Sequence, residues 1–132
     1  MIDAPTPTPA PITHQCIYTA ASRFNLPLKA IYAILAVEGG TVGKINHNSN
    51  GTYDIGPMQI NSIWLKTFSG YITKEQLIYN GCVNVHVGAW ILRANINQAG
   101  GNFWTGVGNY HSRTPTHHNR YQQKVYAAAT KK

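Results

Sequence analysis

Between Gly43 and Asn61 the chain stops reading as helix: Asn46, Asn48, Ser49, Asn50, Gly51 and Gly56 interrupt short alternating stretches, and Asn50-Gly51 is a strong hairpin-turn signal. That stretch predicts a small antiparallel sheet. On both sides of it apolar residues recur at helical spacing, so the chain is expected to fold as helices around one small sheet insert, an α+β arrangement that is mainly α. With 132 residues there is material for one domain and not for a second catalytic one. No internal repeat is visible. No apolar run approaches the roughly 18 residues needed to cross a bilayer, so a membrane span is not expected.

Residues 1–11 carry proline at positions 5, 7, 9 and 11 among Thr and Ala, which predicts an extended, disordered lead-in ahead of a domain over 12–132. From Ile12 the pattern is helical through Cys16, Ile17, Ala20, Ala21 and Phe24, up to a break over 25–27. A second helix runs from Leu28 to Glu38. Its apolar residues lie all around it, so it is buried on more than one side, and Gly39-Gly40 stops it. After the insert come a short helix from 62 to about 68, another near 74–79, a longer one over about 83–99 closed by Gly100-Gly101, and a last pair near 102–110 and 116–129.

Charged residues make up only 11% of the chain, split 11 basic to 4 acidic. Carboxylate chemistry therefore has only Asp3, Glu38, Asp54 and Glu75 to draw on, and an all-carboxylate calcium cage is not expected. A net charge of +7 favours polyanions in general, whether nucleic acid, anionic lipid or acidic wall polymer. The basic residues are scattered, with loose grouping only at Arg113, Arg120, Lys124, Lys131 and Lys132, so nucleic acid is not an expected partner. Cys16 and Cys82 lie 66 positions apart, which fits neither a CxxC redox pair nor a zinc knuckle and leaves a disulfide or two buried thiols. The secreted-looking composition favours the disulfide, which would add roughly 4 kcal/mol in the chain-entropy account. The segment from Met1 to Gln15 has neither the basic start nor the apolar stretch of a signal peptide, so export is expected by another route or after removal of a leader.

Glu38 is out of place. It continues the stripe Leu28, Ile31, Leu35, whose spacing of three, four and three puts all four side chains on one helix face. Burial disfavours the ionised carboxyl, and the negative end of the helix dipole adds to that, so both effects push its pKa upward. An acid still protonated near neutral pH is what donation to the leaving oxygen of a glycoside requires. The plainer alternative is an ordinary helix-end residue with its carboxylate in water. Asp54 sits among turn residues, a polar setting in which an aspartate stays ionised, and it reads either as an acid's charge partner or as an Asx-turn residue shaping the hairpin.

Glu38, then sixteen residues later Asp54-Ile55-Gly56-Pro57-Met58-Gln59-Ile60-Asn61, then Gly108-Asn109-Tyr110-His111, resembles the lysozyme-like lytic transglycosylases that accompany conjugation, secretion and type IV pilus machines. The resemblance covers nearly the whole domain, and the run from Asp54 to Trp64 is also similar to the sheet of animal-type lysozymes. It implies a lysozyme-like fold and a periplasmic or other extracytoplasmic enzyme acting on peptidoglycan without metal or cofactor. Glu38 would be acid and then base at the bond between N-acetylmuramic acid and N-acetylglucosamine, with a 1,6-anhydro product. The motif residues Gly56, Met58 and Gln59 would line the cleft, with Asn61 beside them, and Tyr110 would hold the catalytic carboxyl by its hydroxyl, followed by His111.

This chain departs from the family pattern at Gly39, where many relatives have serine, and at His111, where asparagine is usual and whose charge would change near pH 6.5. Asp54 is a second acid that many transglycosylases lack. Hydrolysis by Glu38 and Asp54 together is therefore an alternative outcome, and a wall-binding module without turnover is another. His111, His117 and His118 cluster without an HExxH pattern or a carboxylate, so a metal site is not expected. Among the tryptophans and tyrosines, Tyr110 is the expected cleft aromatic.

Overall fold

The computed structural model describes residues 7–131. Among these, six α-helices surround a three-stranded sheet: α1 His14–Arg23, α2 Leu28–Glu38, β1 Ile45–His47, β2 Tyr53–Ile55, β3 Ile60–Asn61, α3 Lys74–Tyr79, α4 Gly81–Gln98, α5 Phe103–His111 and α6 Pro115–Thr130. Four of the six helices begin where a side chain takes up a free N–H group. Thr13 and Thr73 form capping boxes at α1 and α3, and the carboxamides of Asn80 and Asn102 accept from Val83 and Thr105 at α4 and α5. α2 ends on Gly39 in the left-handed region at φ 64, as the Gly39-Gly40 pair predicts. No described helix is long and apolar enough to cross a membrane.

α2 and α4 form the centre of the core. Ile31 and Ile34 are wholly enclosed, as are Val85, Ala89 and Leu92, and they meet Val107 from α5 and Val125 from α6. The sheet is antiparallel in the order β1-β2-β3, with Asn46 opposite Asp54 and Asp54 opposite Asn61. The hairpin turn falls where Asn50-Gly51 places it: the Asn50 carboxamide accepts from the Thr52 backbone at 3.0 Å, and Gly51 takes φ 87.

The stretch expected as a helix from 62 to about 68 is instead a single 3-10 turn, Ser62–Leu65, followed by turns up to residue 72. The Asn61 carboxamide starts it by accepting from Ile63, but no apolar face long enough to sustain an α-helix follows, and Gly70 at φ 87 ends the segment. The lead-in expected over 1–11 lies outside the described residues up to position 6. Beyond that it is exposed and extended, and Ala10 pairs its backbone with Tyr79 and Gly81 at 2.8 Å each.

Cys16 of α1 and Cys82 of α4 form a disulfide, with Cα atoms 5.6 Å apart. The bridge ties the first helix to the central one across 66 positions. Reducing it is expected to lower stability by about 2–4 kcal/mol, because the unfolded chain regains the freedom of a long loop. Denaturant midpoints of the oxidised and reduced protein check this, and equal midpoints would show that the cross-link contributes nothing.

Candidate functional site

Glu38 is the last residue of α2, where the helix emerges from the core into a cleft. One wall of that cleft is the sheet, through Thr52, Asp54, Gln59 and Asn61; the other is α5, through Tyr110 and His111. Burial is the main influence on the carboxyl and raises its pKa to about 7. Repulsion from Asp54 adds to the rise, whereas a hydrogen bond from Tyr121 and the charge of Lys124 oppose it. The Tyr121 hydroxyl donates to Glu38 Oε2 at 2.7 Å. Burial and the neighbouring Glu38 hold that phenol far above its usual range, so it remains a donor at every working pH.

Asp54 projects from β2 into the same cleft, and its Oδ1 accepts from the Asn61 carboxamide at 3.0 Å. Asn61 also donates to Thr52 Oγ1, so its side chain fixes two other residues of the sheet wall. Gln59 sits in the turn between β2 and β3 at φ 50, a conformation that costs a non-glycine residue about 1 kcal/mol. Two contacts hold it there: its Nε2 donates to the Gly56 carbonyl, and Asn46 donates to its Oε1. The amide is thus presented to the cleft in one orientation.

Gly56 and Met58 stand differently from the expectation that they line the cleft. Both are buried, with Met58 0% exposed and seated against Gly88 of α4, where a side chain would collide with it. Tyr110 also differs in its partner. Its hydroxyl donates to the Met58 carbonyl at 2.8 Å, and the contact to the Glu38 carboxyl is made by Tyr121 instead. Tyr110 therefore braces the turn that carries Gln59 while its ring faces the cleft. Trp64 joins Tyr110 as a cleft aromatic, set edge-on to Trp90 at 6.0 Å.

Two residues of this arrangement escaped the sequence reading. Asn84 of α4 is 0% exposed, and its carboxamide accepts from Met58 N and donates to the carbonyls of Ile55 and Leu77. It pins the turn below the cleft. Tyr121 is the other; the signal for it was a phenol on the same stripe of α6 as Val125, since a buried hydroxyl must find a partner and few acceptors were at hand.

The transglycosylase SLT domain model matches residues 15–132. The chain belongs to the SLT transglycosylase family. It is similar to the invasion protein IagB of Salmonella typhimurium, 34% identical over 117 residues that cover 84% of this chain and 72% of the relative. It is also similar to protein IpgF of Shigella flexneri, 35% identical over 102 residues, 75% of this chain and 66% of the relative. Within this SLT domain the departure at His111 has a physical consequence. The imidazole stacks on Tyr121 at 4.8 Å, and burial, followed by His117 and Lys124, lowers its pKa despite the opposing pull of Asp54. His111 is accordingly neutral at pH 7 and offers hydrogen bonds as the usual asparagine would. The departure at Gly39 leaves that position without a hydroxyl, and Gly39 serves as the left-handed cap of α2. Among the described residues no group of three or more His, Cys, Asp or Glu side chains is arranged to hold a metal ion.

Proposed function

We propose that this chain is a peptidoglycan lytic transglycosylase that cuts the bond between N-acetylmuramic acid and N-acetylglucosamine, with Glu38 as the single acid and then base. The observation that carries the reading is a carboxyl held protonated to about pH 7 at the wall of a polar cleft, in a chain of the SLT family. In the first step Glu38 gives its proton to the glycosidic oxygen as the bond to the muramyl anomeric carbon breaks. The carboxylate left behind then takes the proton of the muramyl 6-hydroxyl as that oxygen closes on the anomeric carbon. The carboxyl returns to its starting state and the product is the 1,6-anhydro sugar, with no water consumed. Gln59 and Asn61 present amides to the sugar, and Tyr110 and Trp64 supply apolar faces for its rings.

The role proposed for this activity is local opening of the wall during assembly of a secretion or pilus machine. A disulfide persists in oxidising compartments, which supports action outside the cytoplasm.

Product analysis of digested peptidoglycan by mass spectrometry tests the reading, because anhydro ends are lighter by one water than reducing ends. Asp54 in the same cleft favours one rival, hydrolysis by the pair. Reducing ends in place of anhydro ends would establish that outcome, and binding without release of any fragment would identify a wall-binding module.

Tyr121→Phe gives a further test. The hydroxyl favours the ionised carboxyl, so its loss raises the Glu38 pKa above its present value of about 7. The alkaline limb of kcat/KM is expected to move up by about one pH unit, with kcat lower by about tenfold as the carboxyl loses its anchor. A limb that stays in place would show that the contact does not set the acid's proton affinity.

A further inference from the structure

Three of the four basic-type side chains of α6 lie on the face nearest Glu38. His117, Arg120 and Lys124 are three and four positions apart and project from one side of the helix, while Tyr121 and Val125 turn to the core. With Val37, Glu38, His111 and Tyr121 they wall a second cavity of about 220 Å³. Glu38 and His111 also line the sugar cleft, so the carboxyl stands in the partition between the two spaces. Glu38 is the single carboxylate among the described residues lining the second cavity, and burial raises its pKa to about 7. Arg120 and Lys124 therefore meet no carboxylate in this cavity other than Glu38.

A basic helix face is ordinarily just a solvated surface. What sets this one apart is its position against the carboxyl that, on the reading above, attacks the bond beside a muramyl residue. Each muramyl residue carries a lactyl group, and the peptide attached to it bears free carboxylates. We propose that His117, Arg120 and Lys124 form an anion subsite that binds a carboxylate of the peptide on the muramyl residue being cut, so that this chain prefers peptide-bearing glycan to bare glycan. The inference rests on the transglycosylase reading for the identity of its ligand. It has a consequence for the chemistry: a carboxylate bound beside Lys124 offsets the cationic influence that opposes protonation of Glu38. Peptide-bearing substrate thus keeps its own acid charged with a proton.

The experiment is calorimetric binding to the Glu38→Gln protein, which does not depend on turnover. The ligands are a tetrasaccharide of the glycan whose lactyl carboxyls are capped as methylamides in place of the peptide, the same with its stem peptides, and a third in which the peptide carboxylates are amidated. The expected result is binding about tenfold tighter for the peptide-bearing fragment, an advantage that shrinks at high salt and vanishes on amidation. Adding Arg120→Ala and Lys124→Ala is expected to erase the advantage while leaving affinity for the bare tetrasaccharide intact, which also reports that the domain is folded. Equal affinity for all three ligands, or an advantage that survives the two alanines, overturns the subsite. The two readings separate cleanly: a peptide preference in a protein whose wild type releases no anhydro product keeps the subsite and removes the transglycosylase, whereas anhydro product without the preference does the reverse. Failure to bind any fragment overturns both.

Discussion

Glu38→Gln is expected to cut release of wall fragments by at least about a thousandfold while leaving glycan binding within about twofold. The amide keeps the shape and polarity of the side chain but has no proton to give. The same substitution is expected to stabilise the protein, and only above a definite pH. The folded-state pKa of about 7 stands above the ordinary value of 4.5, so between those values the native state holds a proton that the unfolded chain has released. Stability therefore falls as pH rises through this window, and the loss levels off about one unit above the folded-state value. Its ceiling is about 3 kcal/mol from the shift alone, reduced to about 1–2 kcal/mol because the carboxyl is partly open to water. Glutamine is neutral throughout and avoids that loss. Thermal melts should thus place the variant above wild type at pH 8 and level with it at pH 4. Equal melting at both pH values would sink the account of a buried acid, and undiminished lysis would reject Glu38 as the proton donor.

The position of that acid was legible because it rests on local regularities. Leu28, Ile31, Leu35 and Glu38 share a face by helical spacing alone, and Gly39 ends the helix through its own freedom at φ 64. The sheet was legible for a similar reason, since Asn50-Gly51 specifies its turn within a few residues. What was not legible depends on distant partners. Tyr110 and Tyr121 are both phenols close to the cleft, with rings 6.4 Å apart, and which of them reaches Glu38 is decided by how α6 lies against α2. Sequence spacing holds no information on that packing, so it does not tell which of the two hydroxyls reaches the carboxyl. Met58 illustrates the same limit. The motif marks Gly56, Met58 and Gln59 as a unit, yet the turn that presents Gln59 to the cleft sends Met58 into the core against Gly88. Asn84 left no trace at all, because an asparagine inside a helix reads as a polar outer residue until the opposing backbone is in place.

Asn84→Ala carries the largest expected effect on stability. The side chain has no exposure, and it satisfies three backbone groups from two separate segments: Met58 N at 2.9 Å, the Ile55 carbonyl at 2.9 Å and the Leu77 carbonyl at 3.1 Å. Truncation leaves all three buried without partners, and each such group costs about 1–3 kcal/mol, so a loss of about 3–6 kcal/mol is expected. Gly56 presses on the carboxamide so closely that any side chain there would collide with it, which restricts the adjustments that might restore the contacts. Asn84→Asp isolates the donors. It preserves volume and one acceptor but cannot donate to Ile55 or Leu77, and it buries a carboxyl, so it should destabilise at least as much as alanine. The turn it pins carries Gln59 and adjoins Asp54, so sugar binding should weaken at denaturant concentrations where the helices are still intact by circular dichroism. A loss below about 1 kcal/mol for both variants would mean that water replaces the carboxamide, and that α4 does not hold the sheet wall of the cleft in place.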